Sequence, residues 1–263
     1  MIRYLRLALV QLRISASSAM AYRADFFIEG AMSIVWMVLT LLPLYVLYQE
    51  RQEVAGWDAP SALVVIAYFM IVRAVLEGVV SPSFVELVER IRSGAFDYTL
   101  LKPVDAQLIV STSRFEPWKI FDLLGAIALV VWAFVQRGEG PPAALDVVLG
   151  VVLLVAGILA MYAVWIACAA ASFWVVRLDN LTYLLGAVFD TARWPIHIFK
   201  GAWRIIFTFV IPVAVMTSYP AMALLGRIEL STAALVVLGA LVMLVASRAI
   251  WKLAIRNYTS ASS

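Results

Sequence analysis

Long runs of apolar residues recur along this chain, and they limit its possible folds more than any other feature. About 20 residues of helix cross the hydrocarbon core of a bilayer. Backbone polar groups at that depth must bond within their own segment, so each run predicts a membrane-spanning helix. Hydrophobic residues make up 64% of the 263 residues and charged residues only 14%, unlike a soluble domain. We therefore predict an all-α membrane protein whose residues 1–263 form a single transmembrane domain.

The apolar runs predict six transmembrane helices, at residues 26–48, 61–80, 120–135, 145–176, 180–195 and 232–251. Residues 1–24 carry arginines on one helical face and leucines on another, which is typical of a helix lying in the membrane interface. Residues 196–219 are apolar but are broken by Pro212. We predict that they form a re-entrant helical hairpin on the outer side, where surrounding protein covers the irregular backbone.

Basic residues indicate the orientation of the spans. Positive charge near both ends of the chain favours cytoplasmic termini in the inner membrane, and its carriers are Arg3, Arg6, Arg13, Arg23, Arg248, Lys252 and Arg256. Two cytoplasmic termini require an even number of crossings. Seven crossings, with residues 196–219 as a full span, would put the basic C-terminal end outside. The six-span arrangement still leaves four basic residues outside, against the rule, namely Arg193, Lys200, Arg204 and Arg227.

Residues 81–119 are strongly charged although apolar runs flank them. Within this stretch we predict an amphipathic helix at residues 82–94, because Ser83 and Glu86 have the spacing of a capping box and Gly94 is suited to a helix end. Its apolar residues recur at helical spacing, namely Phe84, Leu87, Val88 and Ile91. A charged helix between two spans lies in water or against a partner protein. We predict that it docks on a partner.

Three ionisable residues fall inside the predicted spans: Glu29, Arg73 and Glu77. Charges at membrane depth are costly and are usually paired. Pairing of Arg73 with Glu77, four residues on, or with Glu29 would satisfy them. A proton or substrate path would instead need charges along the full depth of the membrane, and the central parts of the other spans carry almost none. The paired, structural interpretation is therefore favoured.

Motifs for nucleotide, metal or nucleophile chemistry are absent from the sequence. It contains no GxxxxGK[ST], HExxH, CxxC or GxSxG pattern. Cys168 is the only cysteine and His197 the only histidine, and we interpret His197 as a hydrogen-bonded structural residue. We therefore expect no cofactor, metal or catalytic site in this chain and no nucleic-acid partner.

The segment after the amphipathic helix, IRSGAFDYTLLKPVDAQ at residues 91–107, carries a recognisable pattern. It resembles the permease subunits of type-two ATP-binding-cassette (ABC) exporters, in particular an uncharacterised bacterial branch with an Ile-x-x-Gly-x-x-Asp-x-x-Leu-x-Lys-Pro motif. The matching residues are Ile91, Gly94, Asp97, Leu100, Lys102 and Pro103. Residues 207–227, FTFVIPVAVMTSYPAMALLGR, resemble the Pro…Tyr-Pro-Ala signature of the same branch.

This resemblance implies that residues 82–94 are a coupling helix that docks on a separate ABC ATPase subunit, which binds the ATP and Mg. The candidate ATPase-contacting residues are Phe84, Glu86, Leu87, Glu89, Arg90 and Arg92. Asp97 and Lys102 would hold the following turn, by pairing with each other. The resemblance also implies a permease dimer, with a second subunit that is the same or dissimilar, in contact with membrane lipid.

Two other functions remain open from the residues. A membrane-embedded enzyme acting on lipids would need a polar cluster of His, Asp or Glu at one interface, and the sequence offers none. An ATP-independent secondary carrier would be favoured by internal repeats, which the motifs do not show. Aromatic residues in the spans suit an amphipathic cargo, and they include Trp36, Phe69, Trp132, Trp165 and Phe173.

Overall fold

The computed structural model of the protein describes residues 2–21, 23–173, 181–210 and 212–258. These residues are mostly helical, which confirms the predicted all-α class. Among them, five helices are long and apolar enough to cross a membrane, and they are Arg23–Glu50, Ala59–Arg92, Pro117–Arg137, Ala144–Ala171 and Leu230–Arg256. Each of these five overlaps one predicted span. Residues 174–176 of the predicted fourth span and residue 180 of the fifth lie outside the described residues.

The elements follow in chain order. The α-helices are α1 Ile2–Ala21, α2 Arg23–Glu50, α3 Ala59–Val75, α4 Ser81–Arg92, α5 Phe96–Leu100, α6 Ala106–Ser111, α7 Ile120–Arg137, α8 Ala144–Ala171, α9 Leu181–Phe189, α10 Ala202–Ile205, α11 Tyr219–Leu224 and α12 Leu230–Arg256. A two-residue antiparallel hairpin, β1 Glu53–Val54 and β2 Trp57–Asp58, joins α2 to α3.

The second spanning helix differs from the sequence-based expectation because α3 and α4 are one continuous helix of 34 residues. A π-helical turn at Leu76–Val80 joins them, and such a turn lets the helix continue although Pro82 cannot donate a backbone hydrogen bond. Ser83 does not act as the predicted cap. Its hydroxyl donates to the carbonyl of Arg114 (3.1 Å) and accepts from the Arg114 N–H (3.3 Å). At 1.5 Å per residue the helix is about 50 Å long, so α4 projects beyond a bilayer core of about 30 Å.

The predicted fifth span at 180–195 is a shorter helix in the described residues. Helix α9 has nine residues, or about 14 Å, and then a 3₁₀ turn at Asp190–Arg193 follows. Between residues 196 and 224 the described chain consists of short helical turns, including π-helical segments at Ile206–Val210 and Ala214–Ser218. None of these described segments is long enough to span the bilayer alone.

Helix α3 lies at the centre of the bundle. Most of its residues are buried, whereas few residues of α2 and α7 are buried. Helix α8 packs closely against α12 and the segment after Pro212 through small residues. A Cβ at Gly157 would lie 2.8 Å from the Cα of Met216, so only glycine permits this approach. The close contact fixes the irregular segment against two long helices.

At the end of the bundle away from α4, the β1–β2 hairpin packs on the irregular segment. Trp57 is buried, and its indole N–H donates to Nδ1 of His197 at 3.3 Å. The Tyr48 hydroxyl donates to the Trp57 carbonyl at 2.7 Å. The contact between Trp57 and His197 agrees with the predicted hydrogen bonding of His197.

Candidate functional site

Two regions contain the residues that the sequence singles out. The first is the cap, which we define as α4, α5 and α6 with their connections, residues 81–111. The second is a polar cavity between α2, α3 and α7.

The apolar side of α4 is turned toward the chain itself. Phe84 and Leu87 are 5% and 1% exposed and belong to the main core. They line a small apolar space together with Val110 of α6 and Ile166 of α8. The amphipathic pattern of α4 is therefore explained by packing within the bundle. Phe84 and Leu87, which were candidates for contact with an ATPase, are inaccessible to a partner in this conformation.

Two polar residues of α4 make contacts within the cap. Arg90 donates to Glu86 at 2.5 Å and to the Thr99 hydroxyl at 3.3 Å, so these two candidates tie α4 to itself and to α5. Glu89 and Arg92 lie at the surface. Val85, which the sequence analysis did not single out, is 57% exposed on the same helix.

The motif residues after α4 build a turn and a surface. Gly94 has a φ of +74°, a left-handed conformation that favours glycine, and the Asp97 N–H donates to its carbonyl at 3.3 Å. Ile91 is half-buried against the core. The remaining motif residues, Leu100, Lys102 and Pro103, are exposed. The mutual pairing of Asp97 and Lys102 stays a prediction.

A tether between the cap and two spans was missed in the sequence analysis. Arg248 of α12 binds both carboxylate oxygens of Asp105 and donates to the Gln107 side chain at 2.5 Å. The Gln107 amide then donates to the Tyr162 hydroxyl of α8 at 3.0 Å. The hydrogen bond from Arg248 holds the pKa of Asp105 below its ordinary value. From the sequence, Arg248 was interpreted only as a positive charge that indicates the orientation of the spans.

The polar cavity has a volume of about 140 Å³ and contains the charges of the spans. Arg73 donates to Glu77 at 2.7 Å, which is the predicted pairing at four-residue spacing. Lys119 donates to Glu77 at 2.5 Å and to Asp122 at 3.1 Å. Glu29 lines the same cavity, but Arg73 is bonded to Glu77 and not to Glu29. The alternative pair is therefore not formed.

Two further contacts complete the network in the cavity. The Ser33 hydroxyl of α2 donates to Asp122 at 2.5 Å. Asp190, after α9, approaches Arg73 to 3.9 Å. Lys119, Asp122 and Asp190 were missed as partners because each comes from a segment distant in sequence. Among the described residues, no group of His, Cys, Asp or Glu side chains has the arrangement of a metal site.

One comparison with known proteins identifies a family. Residues 34–262 match the model of the ABC-2 family transporter protein, which covers most of the chain. Searches of curated proteins and of solved structures gave no match. The match includes the cap, most of the polar cavity and all five long helices in whole or in part. The chain therefore belongs to the ABC-2 transporter family and is a multi-pass membrane component of the permease type.

Proposed function

We propose that this chain is the permease subunit of an ATP-driven exporter and that it couples ATP hydrolysis on a separate ABC ATPase subunit to movement of a substrate across the membrane. The observation that carries the proposal is the continuous α3–α4 helix. Its α3 part forms the centre of the bundle, and its α4 part projects past the bilayer with exposed side chains. Displacement of α4 by a partner would therefore move the core helix directly, as rigid elements transmit motion.

The surface available to the ATPase is narrower than the amphipathic pattern of α4 suggests. Glu89, Arg92 and Val85 are exposed on α4. The adjacent turn adds Tyr98 and Leu101, which are 73% and 80% exposed. Large apolar side chains exposed beyond the spans are typical of a protein interface. We define this set, with Lys102, as the docking surface. Glu86 and Arg90 support it through their contacts within the cap.

The distribution of charged residues and the family match support further parts of the proposal, namely the number of crossings, the orientation and the subunits. We propose six crossings with both termini in the cytoplasm, the fifth crossing being made by the region of α9 and the sixth by α12. Residues 196–219 form the re-entrant hairpin on the outer side. The functional unit contains two permease subunits, the same or dissimilar, in a bacterial inner membrane. ATP and Mg belong to the ATPase subunits.

Affinity purification of the tagged chain from its native membranes in mild detergent tests the proposal. We expect an ATP-binding protein to co-purify in stoichiometric amount and to hydrolyse ATP. The double variant Glu89→Lys/Lys102→Glu should lose this protein, because it reverses two exposed charges of the docking surface. Lys252→Glu, an exposed charge reversal on α12, is the control and should retain it. Purification of wild-type chain alone, without ATPase activity, would contradict the proposal.

A further inference from the structure

The polar cavity carries more negative than positive charge. Its lining contains two cations, Arg73 and Lys119, and three carboxylates. Asp190, which approaches Arg73, adds a fourth carboxylate. The two cations are occupied by Glu77, Asp122 and Asp190. Glu29 also lines the cavity, and its side chain has neither a hydrogen bond nor an ion pair among the described residues.

Glu29 lies near the start of the apolar stretch of α2, where an unneutralised charge is costly. Its side chain is exposed on the bundle surface. A cation from outside the chain would stabilise a carboxylate in this position. The excess of carboxylates disfavours an anionic ligand for the same reason.

Besides its charged residues and the hydroxyls of Ser33 and Thr40, the cavity wall is apolar and polarisable. Trp36 and Phe69 supply aromatic rings, and Met32 and Met37 supply thioethers. Aromatic faces attract organic cations, and the interaction strengthens when the site excludes water. Trp36 is 56% exposed, and its ring is therefore accessible to a ligand that contacts Glu29, two helical turns away on α2.

A second, larger space of about 520 Å³ adjoins the first and shares Glu29 with it. It lies between α1, α2 and the segment that precedes α7, and its apolar lining includes Phe26, Phe115 and Trp118. Arg114 in this space is paired with Glu116 at 3.2 Å. Glu29 therefore lies between the two spaces. The polar cavity can hold a small charged group, and the larger groove can hold an apolar body.

We propose that Glu29, the polar cavity and the adjoining groove form a binding site for an amphipathic organic cation. The cationic centre binds beside Glu29 and Trp36, and the apolar body lies in the groove along α1 and α2. This inference rests on the proposed function, in which such a cation is the cargo. It reaches the site from the membrane interface in which α1 lies.

Equilibrium binding of tetraphenylphosphonium to the purified full-length chain in lipid nanodiscs tests the site, with empty nanodiscs as the blank. We expect saturable binding that Glu29→Gln weakens about tenfold, since the main neutralising charge is lost. Trp36→Leu, an exposed substitution on the same face, should also weaken it. Glu50→Gln makes the same chemical change at the exposed far end of α2 and should leave the affinity unchanged.

Tetraphenylborate has the same shape and the opposite charge, and we expect it not to bind above the blank. Absence of saturable tetraphenylphosphonium binding, equal affinity of the wild type and Glu29→Gln, or equal binding of the borate would each overturn the proposed site. The measurement requires no ATPase. Its failure would therefore leave co-purification with an ATPase intact, and loss of that co-purification would not alter this binding result.

Discussion

Glu77 connects two cations inside the bundle, since its two carboxylate oxygens accept from Arg73 and Lys119. The contact with Arg73 was predictable because the two residues are one helical turn apart on the same helix. The contact with Lys119 was not, because it depends on which face of α7 meets α3. Spacing along one helix therefore reveals a local pair but not the network to which the pair belongs.

Replacement of Glu77 by Gln leaves Arg73 and Lys119 without their shared partner. Breaking a buried ion pair costs about 3–5 kcal/mol, but these side chains are only partly buried, so we expect a loss of about 1–2 kcal/mol in the free energy of unfolding. Thermal unfolding in detergent should show a lower midpoint for Glu77→Gln than for Glu50→Gln, which removes an exposed carboxylate. Equal midpoints would show that the network contributes nothing to stability.

Asp105 supports the cap in two ways, because it caps α6 through the Leu108 N–H at 3.3 Å and binds Arg248. Asparagine is an equally good cap, so Asp105→Asn isolates the bond to Arg248. The partners are about a third exposed, and we expect a loss of about 1 kcal/mol in stability at pH 7.

The pH dependence of this loss follows from the lowered pKa of Asp105. A depressed carboxyl pKa contributes stability that is fully present above the ordinary value of 3.8 and is lost as the pH falls through the folded-state value. The stability difference between wild type and Asp105→Asn should therefore stay constant from pH 7 down to about pH 5 and shrink as the pH falls further. Unfolding midpoints measured across that range check it, and a difference that already narrows between pH 7 and pH 5 would be inconsistent with the assignment.

At the scale of elements, long apolar runs were sufficient to predict five long helices because membrane thickness fixes their length. The junction of α3 and α4 was not predictable in the same way. Pro82, Ser83 and Glu86 match the local pattern of a helix start, and the continuous helix depends on a π-helical turn and on the contact between Ser83 and Arg114. Tertiary contacts outweigh the local signal at this point. The same holds for the apolar stripe of α4, which packs on α6 and α8.

The packing of α8 on the segment before α11 depends on Gly157. A Cβ there would meet the backbone of Met216 at 2.8 Å, so we expect Gly157→Ala to destabilise the protein by about 1–3 kcal/mol, as overpacking does. A Cβ added at Gly239 of α12 would meet no neighbouring atom within 4 Å, and Gly239→Ala should be neutral or slightly stabilising. Thermal unfolding of both variants makes the comparison, and equal midpoints would refute a close contact.

At the scale of the whole molecule, the family match shows a membrane component of the permease type, whereas the predicted orientation rests on the distribution of charged residues. Six crossings were predicted from parity, and the described residues contain five long helices together with the short α9. The sequence could not define the structure of residues 196–219, because the break at Pro212 is compatible with either a hairpin or a span. An orientation measurement must therefore determine on which side of the membrane the cap lies.

Labelling of single cysteines tests this orientation. In a Cys168→Ser background, Lys102→Cys in the cap should react with a membrane-impermeant maleimide only after cells are permeabilised. Glu139→Cys, between α7 and α8 at the other end of α7, should react in intact cells. Both positions are exposed, so accessibility of the side chain is matched. Reaction of Lys102→Cys in intact cells would invert the proposed orientation.

The central claim is that α4 contacts an ATPase, and site-specific photo-crosslinking from Val85 tests it most directly. Val85 is 57% exposed on α4, and Tyr45 of α2, 64% exposed toward the opposite end of the bundle, serves as the control. With benzoylphenylalanine at Val85, irradiation of intact cells should yield a crosslink to an ATP-binding protein, and the same group at Tyr45 should not. A crosslink to that protein from both positions, or from neither, would contradict a docking surface on α4.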